Sequence, residues 1–204
     1  DAYEHNNSTR YRNVYSKKYV NILFLSNLIE SKGVLILLEA CRILKDKKLQ
    51  YHCTYVGDIG DIGKIKFLKR IQEFGLDEFV SYAGSKYGRE KDVAYCQADI
   101  FVLPTFYAAE SFPLVILEAM QFSLPVISTF EGGIPEVVDD GVTGFLIPAK
   151  DSKALARKLE YLIINPEIRK RLGMYGRSKF VKYYTLKAFE NRMRAILTKA
   201  EMRR

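Results

Sequence analysis

Short, almost wholly apolar runs alternate along this chain with longer stretches of helical spacing. Val20–Leu25, Gln50–Val56, Phe79–Tyr82, Ile100–Leu103, Leu124–Ser128 and Gly144–Ile147 read as strands. Between the first two runs, Val34 to Lys48 has an amphipathic helical pattern with Leu35, Leu38, Ala40, Cys41 and Leu44 inward. Helices are expected over 64–74, ending at Gly75, over 89–97 and over 112–122. Asp151 caps a helix to Ile164, with Leu155, Leu159 and Leu162 inward. Asn165-Pro166 opens another to about Val181, and Thr185 a last one to about residue 201. Residues 1–19 are polar, lack a period and read as a tail or linker.

Strands alternating with helices in units of ~20–30 residues specify α/β architecture: a Rossmann-like parallel sheet with helices on both faces. Ligands in such sheets bind beyond the carboxyl ends of the strands. The chain's least regular, glycine- and charge-bearing loops fall at those ends: 26–33, 57–63, 84–88, 104–111 and 129–135. The richest is the fourth, which runs from Pro104 through Glu110-Ser-Phe-Pro-Leu to Glu118. Ser111 ahead of Phe112-Pro113 reads as a helix N-cap, so Glu110 is expected at a helix mouth and Glu118 about two turns further in. A helix N-terminus suits a phosphate, whereas carboxylates accept hydrogen bonds from hydroxyls. Together they suit a ligand with both, such as a nucleotide sugar. Taken alone, two Glu at this spacing read as a solvated loop residue and a surface helix residue; the loops around them reverse that. The pair Gly132-Gly133, after a strand and before Ile134-Pro135, is a second ligand-facing loop.

Composition narrows the classes. Of the 204 residues 48% are hydrophobic, enough for a full core, and no apolar run reaches transmembrane length. The first residue is Asp, which reads as a piece of a longer protein. Cys41, Cys53 and Cys96 are widely spaced and the only histidines are His5 and His52, so there is no zinc pattern and no metal is expected. Neither a Walker A sequence nor a G-x-G-x-x-G follows the first strand, which argues against a nucleotide triphosphatase or a dehydrogenase. The net charge is +8, unevenly placed. Lys153–Arg204 holds 15 Lys and Arg against 4 Asp and Glu, and residues 1–152 hold 17 against 20. The basic C-terminal helices suit solvated faces or an anionic membrane surface; no motif supports a nucleic-acid partner.

The ordered motifs resemble a known family. Lys32-Gly33, Val56-Gly57 and Val80-x-x-x-Gly84 are followed by Ala98-Asp99-x-x-Val102-Leu103-Pro104-Thr105. Next come Glu110-x-Phe112-x-Leu114-x-x-x-Glu118-Ala119-Met120, Pro125-Val126-Ile127, Gly132-Gly133-Ile134-Pro135-Glu136-Val137 and Asp140-Gly141-x-Thr143-Gly144-Phe145-Leu146. From about Val20 to Thr185 the chain resembles the C-terminal, donor-binding domain of family-four retaining glycosyltransferases with the GT-B fold. The resemblance implies one half of a GT-B fold, with a nucleotide-sugar-binding domain over 20–184 and a helix over 185–204 that packs on an N-terminal domain. Glu118 would bind ribose hydroxyls and Glu110 hydroxyls of the transferred sugar. The backbone at Phe112, Pro113 and Leu114 would face the diphosphate, Lys32 would neutralise it as it leaves, and the base would lie near Ser85, Lys86 and Tyr87. No cofactor, divalent metal or protein nucleophile is implied.

Two departures stand out. Asn27 occupies the place of a usual Arg, bringing hydrogen bonds without charge. Ser111 and Pro113 occupy usual glycine positions, and Pro has no N–H. The acceptor, a glycan or lipid-linked molecule, would sit on the N-terminal domain, so this chain alone is expected to bind a UDP- or GDP-type donor weakly and to transfer nothing. Leu186, Phe189 and Ile196 would then be exposed. Surface polysaccharide assembly, and a cytoplasmic place with peripheral contact at the inner membrane face, follow only by association with the family. Two alternatives are a nucleotide-sugar epimerase of related fold and a basic membrane- or nucleic-acid-binding module.

Overall fold

The computed structural model describes residues 19–201. The expected tail over 1–19 lies, Tyr19 apart, outside the described residues, as does the chain beyond Glu201. The strands are β1 (Val20–Leu25), β2 (Tyr51–Val56), β3 (Val80–Tyr82), β4 (Ile100–Leu103), β5 (Val126–Thr129) and β6 (Gly144–Ile147). All are parallel and form one sheet in the order β3-β2-β1-β4-β5-β6. The helices are α1 (Val34–Asp46), α2 (Lys64–Glu73), α3 (Gly88–Gln97), α4 (Leu114–Gln121), α5 (Ile134–Val137), α6 (Ser152–Ile164), α7 (Pro166–Tyr183) and α8 (Leu186–Glu201). This is the expected α/β fold, one Rossmann-like half of a GT-B pair.

Helices cover the sheet, and its sequence reflects that. Every residue of β4, β5 and β6 is buried, as parallel strands covered on both faces require. α1 buries Val34, Leu37, Leu38, Ala40, Cys41 and Leu44 and packs beside α6. The sequence pattern placed Leu35 inward; it is half-buried, and Leu37 takes the core position. Phe24, Tyr55 and Phe67 pack in series, the first pair tilted and the second edge-on, with centroids 5.1 and 4.9 Å apart. Burying each such ring contributes about 1.5–3 kcal/mol. On the other side, α4 packs against α7, and Arg177 of α7 donates to the Gln121 carbonyl at 2.7 Å.

Most boundaries fall within two residues of expectation. Asp151 caps α6 as expected, its Oδ1 accepting the Ala154 N–H at 2.7 Å. α4 differs: it begins at Leu114, its N-cap is Pro113, and Ser111 makes no cap hydrogen bond. A residue before proline is driven out of the helical region, so Phe112 cannot lie inside the helix and the first turn starts after the Pro113 ring. α8 has no buried residue among 186–199, and Leu186, Phe189 and Ile196 are exposed as expected, alongside Met193 and Leu197.

Candidate functional site

In this strand order the connections diverge between β1 and β4, one leading left in the sheet and the other right. The crevice at such a switch point is where a ligand fits beyond the strand ends. The β1 loop supplies Lys32 and the β4 loop supplies Glu110, and the two meet there. Lys32 Nζ lies 2.6 Å from Glu110 Oε2. Glu110 is only 8% exposed, so its carboxylate needs this partner. Lys32 Nζ also lies 4.6 Å from the Tyr107 ring centroid, over its π face.

The backbone makes this meeting obligatory. The Ser31 carbonyl accepts from Phe106 N–H at 2.7 Å and from the Thr105 hydroxyl at 3.1 Å, which ties the β4 loop to the β1 loop. Gly33 follows Lys32 with φ +82°, and a Cβ there would lie 2.1 Å from the Pro104 carbonyl oxygen. The glycine pair closes the other side. Gly133 N–H donates to the Glu110 carbonyl at 3.2 Å. Gly132 has φ +53°, and a Cβ on it would lie 1.4 Å from that same oxygen. Lys32, Glu110, Gly132 and Gly133, read separately from the sequence, are therefore one assembly.

Glu118 sits in different surroundings. Its side chain, 31% exposed, is held at Oε1 by Lys91 Nζ (2.7 Å). The Tyr95 hydroxyl donates to Oε2 at 2.8 Å. Burial, reinforced by the Glu118 charge, pushes the Tyr95 phenol well above its ordinary range. Lys91 and Tyr95 are one turn apart on α3 and face α4 together. The sequence reading assigned neither a role. Their spacing, four residues apart on a helix leaving a candidate loop, was the signal available. Among the described residues no hydrogen bond or ion pair joins Glu110 to Glu118.

The remaining candidates border these two clusters. Ser85 and Lys86 lie on the loop between β3 and α3 that leads to Lys91, and both are half-buried. Lys86 Nζ is 3.9 Å from Glu90. Asn27 is exposed, and its Oδ1 accepts the Asp58 N–H at 3.2 Å. It thus staples the β1 loop to the β2 loop, a task its amide performs and a guanidinium, having no acceptor, cannot. Pro113 is buried. Leu114 is 65% exposed, and the Phe112 ring lies 6.1 Å from that of Tyr184. Among the described residues no group of three or more His, Cys, Asp or Glu is placed to hold a metal ion, and no helix is long and apolar enough to cross a membrane.

A doubly wound sheet with a charged, glycine-backed crevice at its switch point defines a Rossmann-like ligand-binding domain. The chain belongs to the family of glycosyl transferases group 1, whose family model matches residues 7–179. The amylovoran biosynthesis glycosyltransferase AmsK of Erwinia amylovora is 37% identical over 141 residues, 67% of this chain and 34% of that protein. The D-inositol 3-phosphate glycosyltransferase of Corynebacterium jeikeium is 32% identical over 167 residues, 78% of this chain and 39% of that protein. The chain spans from about a third to under half of the length of the curated relatives it matches. Among solved structures, the C-terminal domain of the group 1 protein LpcC from Francisella tularensis superposes with TM-score 0.74 at 24% identity, covering 82% of this chain and 87% of that one. Anabaena HepE, solved in complex with UDP, gives TM-score 0.79 at 23% identity, covering 89% of this chain and 49% of that one. These likenesses show the fold. The family match favours the transferase reading over the epimerase and the basic binding module.

Proposed function

We propose that this chain is the donor-binding half of a retaining glycosyltransferase, which moves a sugar from a UDP- or GDP-type nucleotide-diphosphate sugar to a glycan or lipid-linked acceptor. The observation that carries this reading is the Lys32–Glu110 pair across the switch point, 2.6 Å apart and backed by Gly132 and Gly133. The pair spares a buried carboxylate from standing alone, and a nucleotide-diphosphate sugar offers each member a replacement partner. Lys32 turns to the diphosphate and offsets the charge that grows on it as the glycosidic bond breaks. Glu110 turns to the hydroxyls of the sugar and sets the ring's position. Glu118 keeps lone pairs beyond those used by Lys91 and Tyr95, and these accept the ribose hydroxyls.

Ser85 and Lys86 border the base, and the backbone at Phe112, Pro113 and Leu114 borders the diphosphate. Leu114 and Val115, the first residues of α4, carry N–H groups without intrahelical partners. Lys32 supplies the positive charge that a divalent metal supplies elsewhere, so neither metal nor cofactor enters this scheme. The N-terminal domain of the whole enzyme carries the acceptor and covers α8 in the segment 185–204; the chain alone binds donor weakly and transfers nothing. The amylovoran biosynthesis name of AmsK supports polysaccharide assembly as the setting; the proposal puts the work on the cytoplasmic side, with peripheral contact at the inner membrane face and no nucleic-acid partner.

The test is calorimetric titration of this chain with UDP, GDP, ADP and their sugars. One nucleotide should be preferred. Glu118→Ala, which removes charge-assisted hydrogen bonds to the ribose, should weaken it roughly 10- to 100-fold. If a folded sample and the full-length protein both ignore all of these ligands, the reading is wrong.

A further inference from the structure

We propose a second ligand site, for a phosphate-bearing small molecule, in a basic cavity of about 490 Å³ between β6, α6 and α7. Arg157, Lys158 and Tyr161 come from α6, Ile168 and Arg171 from α7, and Phe145 from the edge strand β6. Arg157 and Lys158 lie at the middle of α6, and Arg171 in the second turn of α7. α6 leaves the carboxyl end of β6 and runs back along the sheet, so this place is away from the crevice of Lys32 and Glu110 and shares no residue with it.

Charge is what singles it out. Three cations line the cavity and no carboxylate does. Among the described residues neither Arg157 nor Arg171 forms a hydrogen bond or ion pair, whereas Arg42, Arg70 and Arg177 all have partners. The nearest acids in sequence do not close on them. The Asp140 carboxylate accepts the Leu146 N–H at 3.0 Å. Glu167, one turn before Arg171, forms no ion pair among the described residues. Three like charges gathered on one concavity repel, and an anion seated between them turns that repulsion into attraction. Guanidinium groups are planar forks that match phosphate oxygens in pairs.

The floor selects more than a bare ion. The Phe145 ring is buried, with Lys158 Nζ over its face 4.2 Å from the centroid, so the aromatic surface open to a ligand is that of Tyr161. The Tyr161 ring meets that of Phe145 edge-on at 5.9 Å and is 42% exposed. Aromatic surface beside a cationic rim suits an anion with an apolar or ring-bearing body, and the volume lies in the range of small-molecule pockets. The phosphate belongs either to a soluble phosphate ester or to the headgroup of an anionic lipid.

Phenyl phosphate and inorganic phosphate, titrated calorimetrically into the intact chain, test the first source. Co-sedimentation with phosphatidylcholine vesicles, with and without phosphatidylglycerol, tests the second. The informative protein is Arg157→Gln/Arg171→Gln, whose exposed side chains make no contact that folding depends on; thermal melting checks this. Lys182→Gln/Lys199→Gln is the control of equal charge. Phenyl phosphate binding tighter than inorganic phosphate, weakened roughly tenfold or more by the arginine double variant and not by the control, supports the site and a soluble ligand. Vesicle retention that needs phosphatidylglycerol and falls only in the arginine double variant supports it and assigns the lipid. UDP binding should be the same in both double variants. Equal weakening in the two, or no saturable binding to either probe, overturns the proposal.

Discussion

Glu110 and Glu118 are separated by seven residues and are served by different parts of the molecule. Glu110 stands on a loop, is nearly buried, and is held by the backbone of its own loop and of Gly132-Gly133 together with a single ammonium. Glu118 stands on a helix, is a third exposed, and is held by two side chains of a neighbouring helix. The first is positioned by main-chain sterics and the second by side-chain hydrogen bonds. Main-chain positioning tolerates almost no substitution nearby, whereas side-chain positioning degrades by steps. The difference matches the proposed roles: a group that positions the reacting sugar would need rigid placement, whereas one that clamps a ribose would need only to accept hydrogen bonds.

Gly132→Ala is the severest break of that comparison. It puts a Cβ 1.4 Å from the Glu110 carbonyl oxygen and forces a left-handed conformation on alanine. Strain and overpacking together should cost about 2–5 kcal/mol, read as a lower denaturant midpoint at unchanged slope, with donor binding lost. A neutral result would mean that backbone does not hold Glu110. Lys32→Met comes next. It leaves a buried carboxylate without its cation; with Lys32 itself 19% exposed, water reduces the cost to about 1–3 kcal/mol. Adding Glu110→Gln should recover part of that, and if it recovers nothing the two groups are not a pair in solution.

The smallest effect belongs to the Glu118 side. Burial, and then the Glu118 charge, keep the Tyr95 phenol protonated in the fold beyond the range where an unfolded tyrosine ionises near pH 10. The native state then holds the proton that the unfolded state loses. Stability from this group is intact below about pH 10 and falls above it, by at most about 1.4 kcal/mol per pH unit. Tyr51 and Tyr55, raised mainly by burial, add to the same alkaline slope. Urea melts at pH 8 and pH 10.5 should show the fall, and Tyr95→Phe should make it shallower. An equal slope in that variant would remove Tyr95 from the account of how Glu118 is held.

Much of this was legible along the chain. The all-apolar run Ile100–Leu103 announces a strand covered on both faces. Lys32-Gly33, Glu110 and Gly132-Gly133 announce the crevice, because each lies in a loop after a strand end where such sheets bind ligands. The start of α4 was misplaced by two residues, since the favourable cap of Ser111 competes with the restriction that Pro113 puts on Phe112, and the latter wins. The four-residue spacing of Lys91 and Tyr95 shows that they share a helix face, but not that Glu118 is their partner, because the packing of α3 against α4 sets that contact. Asn27 read as a weakened phosphate ligand, and the structure adds its hydrogen bond to the β2 loop.

By itself the sequence determined the element order, the parallel sheet, and which loops lie at its carboxyl edge, because period, burial and turn chemistry are local and the handedness of crossovers leaves few alternatives. Only the tertiary structure decided that Lys32 meets Glu110, that Gly132 must lack a Cβ against the Glu110 carbonyl, and that two arginines from successive helices share one cavity without a counter-charge. Each of these is a contact between residues far apart in the chain or turned toward one another by packing. Such contacts depend on how strands order in the sheet and how helices seat on it, which no short window of residues specifies.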